Sequence, residues 1–181
     1  MMEFRFGRQG VGRAWFEALP LAHYASAGDL CVTLPAVRRE RRECRIVLEV
    51  LIPRGAYAEY ALLGASYSGR ERDEIVISVS ESGEGDARTY AESLASRLDT
   101  VWVGLPHPYA ISVLDAAKAT APRALSGELS FDCAAHGMVG SSAQLFANCA
   151  SAIVELLGQN VTEVERIIDV CSAHVVSRAR P

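Results

Sequence analysis

The sequence predicts an α+β fold in which helices pack on one face of a mostly antiparallel sheet. Three observations support this prediction. Segments rich in branched apolar residues come first, between residues 44 and 80, and helical and strand-like segments then alternate along the chain. Two strongly amphipathic helical segments come last. Strands that precede a group of helices are typical of a sheet with its helices segregated to one side.

The strand predictions rest on composition and on alternation of apolar with polar residues. Residues 45–52 are rich in branched apolar side chains and stop before Pro53, and residues 57–67 form a second candidate strand. Residues 74–80 alternate between apolar and polar side chains, which is the pattern of a half-buried strand. We expect these strands to form an antiparallel meander, with a further short strand at residues 30–34.

The helix predictions rest on apolar stripes and on capping signals. Asp86 is placed to cap one helix, while Ser141 with Gln144 and Thr162 with Glu165 have the spacing of capping boxes. The predicted helices cover residues 14–24, 86–98, 106–119, 141–157 and 162–177, and short strands at residues 100–103 and 128–133 lie between them.

Length and composition favour one soluble domain. The chain has 181 residues, of which half are hydrophobic and 22% are charged, and this is enough for one core. We predict a single domain over residues 1–181, with a possible N-terminal extension at 1–44, a core at 45–160 and a C-terminal helix at 161–181. No apolar run approaches the roughly 20 residues that span a bilayer. The first residues lack the apolar stretch of a secretory signal, which predicts a cytoplasmic protein without membrane contact.

One segment concentrates positive charge in a chain of net charge −4. Arg38, Arg39, Arg41, Arg42 and Arg45 fall within eight residues, with two glutamates between them. Such a cluster can contact phosphate groups. The alternative is a solvated surface segment in which the arginines pair with the neighbouring glutamates.

Two further segments carry a recognisable pattern. Residues 105–113 read LPHPYAISV and residues 136–150 read HGMVGSSAQLFANCA. Both resemble domain IV of bacterial elongation factor G, and the resemblance covers roughly residues 100–157. The positions that hold the pattern are Pro106 and Tyr109 in the first segment and His136, Val139, Ser141, Ser142, Phe146 and Ala150 in the second.

The resemblance implies a fold, a class of partner and a position for the histidine. It implies the fold of the second domain of small-subunit ribosomal protein S5, and it places His136 and Gly137 on an exposed loop at the tip. The chain departs from the family at Gly140, where an aspartate is usual, and at Pro108, where an acidic or polar residue is usual. No GxxxxGK[ST] phosphate loop is present, so the sequence contains no nucleotide motor of that type.

The leading functional prediction is a non-catalytic binding module of translation-factor type without GTPase activity or a cofactor. Its partner would be the ribosome or another RNA, bound through His136, Gly137, Ser141 and Ser142 and through the arginines at positions 38, 39, 41 and 42. Ser141 and Ser142 have a second interpretation as caps of the following helix. The N-terminus of that helix could also receive an anion.

Two other classes of function stay open at this stage. One is a small-molecule enzyme or ligand-binding protein with a site near His136, Ser141 and Ser142, in which Cys133 or Ser141 acts as a nucleophile beside His136. The other is an interaction protein that forms a homo-oligomer. The pairs Cys133-x-x-His136 and Cys171-x-x-His174 also raise the alternative of a zinc site, although five scattered cysteines are typical of reduced, buried thiols.

Overall fold

The structure is a computed structural model of the chain and describes residues 1–8, 10–16, 19–36, 41–83, 88–161 and 163–176. In these residues eight strands form one sheet. The predictions for Arg38, Arg39, Asp86 and Thr162 lie outside the described residues. The strands are β1 (Met2–Phe6), β2 (Gly10–Trp15), β3 (Ser26–Pro35), β4 (Glu43–Arg54), β5 (Tyr57–Gly69), β6 (Glu74–Ser82), β7 (Val101–Val103) and β8 (Gly127–Gly137).

The sheet is mostly antiparallel and its order is β1-β2-β4-β5-β8-β6-β3. The parallel pair is β6 with β8. The first half of β8 pairs with β6 and its last three residues pair with β7, while β5 runs along the other side of β8. The residues before the predicted core are therefore part of the same sheet, with β1 and β2 at one edge and β3 at the other.

Three α-helices accompany the sheet in the described ranges, which confirms the α+β class. They are α1 (His107–Ala124), α2 (Ala143–Gln159) and α3 (Val164–Cys171), and a π-helical turn, Ser172–Val176, follows α3. The predicted order of helix, strand and helix is confirmed for α1, β8 and α2. The predicted last helix is shorter than expected as an α-helix, because its C-terminal part forms the π-helical turn.

The main core lies between the helices and one face of the sheet. Apolar residues that recur every three or four positions on α2 are fully buried, including Leu145, Phe146 and Ile153. They belong to the same buried cluster as Leu48, Leu63 and other alternate residues of the central strands. This packing fixes the position of α2 and therefore of the turn that precedes it.

The opposite face of the sheet carries a second, smaller core. Trp15, Tyr60 and Leu62 pack there against Tyr90 and Ala95, which belong to the segment of residues 88–100. We call this segment the cover segment. The prediction of a helix at residues 86–98 is wrong where the structure describes it, because residues 91–99 form successive turns. The backbone N–H of Leu94, which a helix would use internally, donates to the buried Glu49 carboxylate at 2.9 Å.

A bulge in β8 changes which side chains face each core. Gly64 of β5 pairs with Cys133 and the next residue pairs with Phe131, so Asp132 is the extra residue. Phe131 therefore lies in the main core and Cys133 in the second core. In a regular strand Phe131 and Cys133 would share a face, because residues two apart point to the same side. Asp132 forms two hydrogen bonds with the Arg45 guanidinium, at 2.8 and 2.9 Å.

The helix expected at residues 14–24 is also not formed in residues 14–16 and 19–24, which are the described part of this range. Ala14 and Trp15 are the last residues of β2 and pair with β4, and Pro20 follows in an irregular connection. Strand pairing thus overrides the weak helical pattern of this segment. In the part of the chain that the structure describes, no helix combines the length and apolar character required to cross a bilayer.

Candidate functional site

His136 lies at the end of β8 rather than in the turn that follows it. It pairs with Ala61 of β5 and Trp102 of β7, and its side chain is half-buried. Its Nδ1 lies 3.1 Å from the carbonyl oxygen of Gly104. Because that oxygen can only accept, the neutral ring carries its proton on Nδ1 and leaves Nε2 as an acceptor. Burial lowers the pKa of His136, against opposing effects of the Gly104 hydrogen bond and the Asp99 charge.

The two segments that carry the family pattern contact each other through Tyr109. The Tyr109 ring stacks on Phe146 with ring centres 4.9 Å apart, and it meets the edge of the His136 ring at 5.9 Å. Its hydroxyl donates to the carbonyl oxygen of Ser141 at 3.2 Å. Tyr109, His136, Phe146 and Ser141 therefore form one packed group at the junction of α1, β8 and α2.

The two serines have different structural roles. Ser142 is the N-cap of α2, because its hydroxyl accepts from the backbone N–H of Leu145 at 3.2 Å. The capping box predicted for Ser141 with Gln144 is not formed. The Ser141 hydroxyl instead accepts from the N–H of Gly137 at 2.8 Å and donates to the carbonyl oxygen of Tyr60 at 2.6 Å. Ser141 thus connects the turn after β8 to β5.

Asp99 holds the turn after β8 and was not predicted from the sequence. Its Oδ2 accepts from the backbone N–H groups of Val139 at 3.0 Å and Gly140 at 2.8 Å. A Cβ on Gly140 would lie 2.4 Å from the carbonyl oxygen of Ala58, and one on Gly137 would lie 2.4 Å from Asp99 Oδ2. A side chain at position 140 would therefore collide with the backbone of β5.

The cavity at this end of the sheet lies beside the turn. Its volume is about 420 Å³, and Tyr57, Leu98, Asp99, Val139 and Gly140 are among the residues that line it. We call it the tip cavity. His136, Ser141 and Ser142 are not among its lining residues.

Arginines converge at the other end of the sheet. Arg41 and Arg42 lie beside Arg70 and Arg72, around a cavity of about 580 Å³. We call this the arginine cavity, and two glutamates also line it. Arg41 pairs with Glu71 at 3.3 Å, and both side chains are largely exposed. The Arg42 guanidinium donates to the carbonyl oxygen of Leu157 and lies 5.7 Å from the centre of the Tyr67 ring.

The two groups of predicted binding residues do not form one site. Arg42 precedes the start of β4, which pairs with the end of β5, whereas His136 pairs with the beginning of β5. β5 has 13 residues, and at about 3.4 Å per residue its ends are roughly 40 Å apart. The arginine cavity and the turn after β8 therefore present separate surfaces.

The alternative zinc ligands are not brought together. Cys133 lies in the second core and Cys171 in the main core, on opposite faces of the sheet. His136 points away from Cys133 because residues three apart on a strand face opposite sides, and His174 pairs with Glu155 at 2.7 Å. Within the described ranges, no group of three or more histidine, cysteine, aspartate or glutamate side chains is arranged to hold a metal ion.

Among the described residues, no hydrogen bond joins either candidate nucleophile to the candidate base His136. Cys133 is fully buried, and burial raises the pKa of its thiol to about 12. Such a thiol is almost entirely protonated at neutral pH, and its face of the strand is not that of His136. The hydroxyl hydrogen of Ser141 is directed to the Tyr60 carbonyl oxygen.

Sequence reasoning missed Asp99, Arg70 and Arg72. Asp99 carries only a turn signal in the sequence, and the two arginines alternate with acidic residues in an ordinary polar loop.

Comparison with known proteins identifies no relative: no protein family, curated protein sequence or solved structure matches the chain.

Proposed function

We propose that this protein is a non-catalytic, RNA-binding module of translation-factor type that contacts phosphate groups at the arginine cavity. The observation that carries the proposal is the convergence of four arginines from two separate segments, Arg41 with Arg42 and Arg70 with Arg72. Among the residues that the structure describes, two glutamates line the same cavity, and one of them, Glu71, is paired with Arg41. Clustered guanidinium groups attract the phosphates of a nucleic acid even when the net charge of the protein is negative.

The resemblance to domain IV of elongation factor G supports RNA as the polyanion. The elements β4, β5, β6, α1, β8 and α2 follow one another in the order of three strands, helix, strand and helix, with β7 as an added short strand. This order is compatible with the second domain of ribosomal protein S5, which we include in the proposal. His136 and Gly137, near the turn after β8, provide the second proposed contact with the ribosome or another RNA.

The surroundings of the candidate nucleophiles favour binding over catalysis. A general base must lie within hydrogen-bond reach of the proton that it removes. The Ser141 proton is shared with a backbone oxygen and the Cys133 thiol faces the second core. A role in recognition uses the same residues without requiring proton transfer.

The proposal is tested by RNA binding as a function of salt concentration. Fluorescence anisotropy with labelled ribosomal RNA fragments would compare the full chain with the double variant Arg70→Ala/Arg72→Ala. Loss of two phosphate contacts should weaken binding and reduce the slope of log K against log salt by about 0.7–0.9 per contact. His136→Ala tests the second contact in the same assay.

A charge-matched control separates a specific surface from general attraction. Arg5→Ala/Arg8→Ala removes the same charge from exposed positions on β1 and the following turn. This control should leave the salt slope unchanged. Equal losses in the two double variants, or binding that does not depend on salt, would contradict the proposal.

A further inference from the structure

The tip cavity has the composition of a small-molecule site. Its volume of about 420 Å³ falls in the range of about 300–1,000 Å³ that is usual for ligand pockets. Its lining residues are glycine, alanine, proline, leucine and valine, apart from Tyr57 and Asp99. We propose that the tip cavity binds a small organic cation with an apolar body, with Asp99 opposite the positive charge.

The Asp99 carboxylate is held in place and keeps one oxygen available. Oδ2 accepts from the N–H groups of Val139 and Gly140. Oδ1 has no hydrogen-bond partner among the described residues. Arg54, which follows the cavity residue Pro53 in the chain, is paired with Glu59 at 2.8 Å. A carboxylate fixed in this way attracts a cationic group without further ordering of the protein.

The rim of the tip cavity is unusually apolar for an exposed surface. Seven large apolar side chains are exposed in the described ranges. Four of them, Tyr57, Leu98, Met138 and Val139, belong to the cavity or to the turn that borders it. Burial of this surface by an apolar ligand is favourable. The exposed ring of Tyr57 also offers a face to a cation.

The fixed Asp99 carboxylate and the apolar lining together indicate the class of ligand. An apolar lining alone would accept a neutral hydrophobic molecule, and a carboxylate alone would accept a hydrated metal ion. A cavity whose one charged side chain is an aspartate, with an aromatic ring at its edge, matches an amine or a quaternary ammonium group attached to an apolar body. An anionic ligand of the same shape is excluded by the Asp99 charge.

The experiment compares three probes of similar shape. The ¹⁵N-labelled full chain is titrated with 2-phenylethylamine, with the neutral 2-phenylethanol and with the anionic 3-phenylpropanoate. The amide signals of Val139 and Gly140 report on binding because both groups contact Asp99. We expect the amine to bind at least about tenfold more tightly than the alcohol, and the acid to bind least.

Two variants and one control locate the site. Asp99→Asn keeps an oxygen that can hold the turn but removes the charge, so it should abolish the preference for the amine. Ala56→Trp fills the cavity from an exposed turn position and should prevent binding of both the amine and the alcohol. Asp115→Asn, on α1 away from the tip cavity, removes the same charge and should bind as the parent does.

Four outcomes would overturn the proposal. They are the absence of binding by the amine, equal affinity for the amine and the alcohol, unchanged selectivity in Asp99→Asn, and unchanged binding in Ala56→Trp. A shift of the Val139 and Gly140 signals with protein concentration alone would also overturn it, because it would show that a second copy of the chain covers the tip. RNA binding at the arginine cavity is measured separately, so its failure would not imply failure here.

Discussion

Replacement of Glu49 tests how the cover segment is held on the sheet. Glu49 lies on β4, and its side chain is fully buried. Its Oε1 accepts from the Tyr60 hydroxyl and from the backbone N–H of Leu94, both at 2.9 Å, while Arg13 lies 3.4 Å from Oε2. This carboxylate therefore connects β4 and β5 with the cover segment.

The expected loss of stability in Glu49→Ala follows from the hydrogen-bond donors that lose their acceptor. Glu49→Ala leaves the Tyr60 hydroxyl and the Leu94 N–H without an acceptor in the second core. Each buried, unsatisfied donor costs about 1–3 kcal/mol, so the variant should lose about 2–6 kcal/mol of unfolding free energy. Glu49→Gln retains an oxygen for both donors and should lose about 1 kcal/mol or less at neutral pH.

The contribution of Glu49 to the stability of the fold should change with pH in a definite direction. Burial raises the pKa of Glu49, although hydrogen bonds from Leu94 and Tyr60 and the charge of Arg13 oppose this. The folded state therefore binds a proton more readily than the unfolded state does. The contribution of Glu49 to stability is largest below the ordinary carboxyl pKa of about 4.3 and declines as pH rises through the raised pKa.

Urea unfolding followed by tryptophan fluorescence provides the measurement, since Trp15 lies in the second core with Glu49's partner Tyr60. The stability of the parent relative to Glu49→Gln should fall between about pH 4.5 and neutrality. Glu128→Gln, at an exposed position of β8, is the matched control. An unchanged stability of Glu49→Ala, or a stability difference from Glu49→Gln that rises with pH, would refute the reasoning.

Three shorter predictions concern the turn after β8 and the thiols. Ser142→Ala should lower the unfolding free energy by about 1 kcal/mol, as measured in urea, and Ser142→Asp should restore most of it. Gly140→Asp, which introduces the residue usual in the family, should cost about 1–3 kcal/mol in the same assay, because its Cβ would meet the Ala58 carbonyl oxygen. Cys31 is exposed and Cys133 is buried, so a chromogenic disulfide reagent should label Cys31 in the folded protein and Cys133 only after unfolding.

The elements that could be predicted from the sequence are those with a periodic pattern of apolar residues within the element itself. β4, β6 and α2 have strong periodic patterns, and each was placed within a few residues of its observed bounds. The cover segment was predicted as a helix because its apolar residues have helical spacing. Its actual conformation depends on a hydrogen bond from Leu94 to Glu49, 45 residues earlier. Such tertiary contacts leave no periodic signal in a single sequence.

The candidate sites depend still more on long-range pairing. Arg42 and Arg70 become neighbours because β4 and β5 form a hairpin whose register pairs Glu43 with Ser68. Asp99 meets Gly140 because β7 pairs with the end of β8. A shift of either register would separate these residues. The arginine cluster could thus be recognised in part from the sequence, but the cavity around it and the role of Asp99 could not.

The separation of the two cavities makes their independence testable. Tyr57 at the tip cavity and Gly69 at the arginine cavity are the two ends of β5, whose 13 residues span roughly 40 Å. A small cation at the tip cannot touch a short RNA bound at the arginine cavity, and a packed central strand offers no second arrangement through which to couple them.

Saturating 2-phenylethylamine should therefore leave the affinity for a short oligouridylate unchanged, and Arg70→Ala/Arg72→Ala should leave amine binding unchanged. Binding linkage is reciprocal, so the two measurements must agree. Competition between the amine and the short RNA would contradict this independence and would show that the short RNA reaches the tip beside His136.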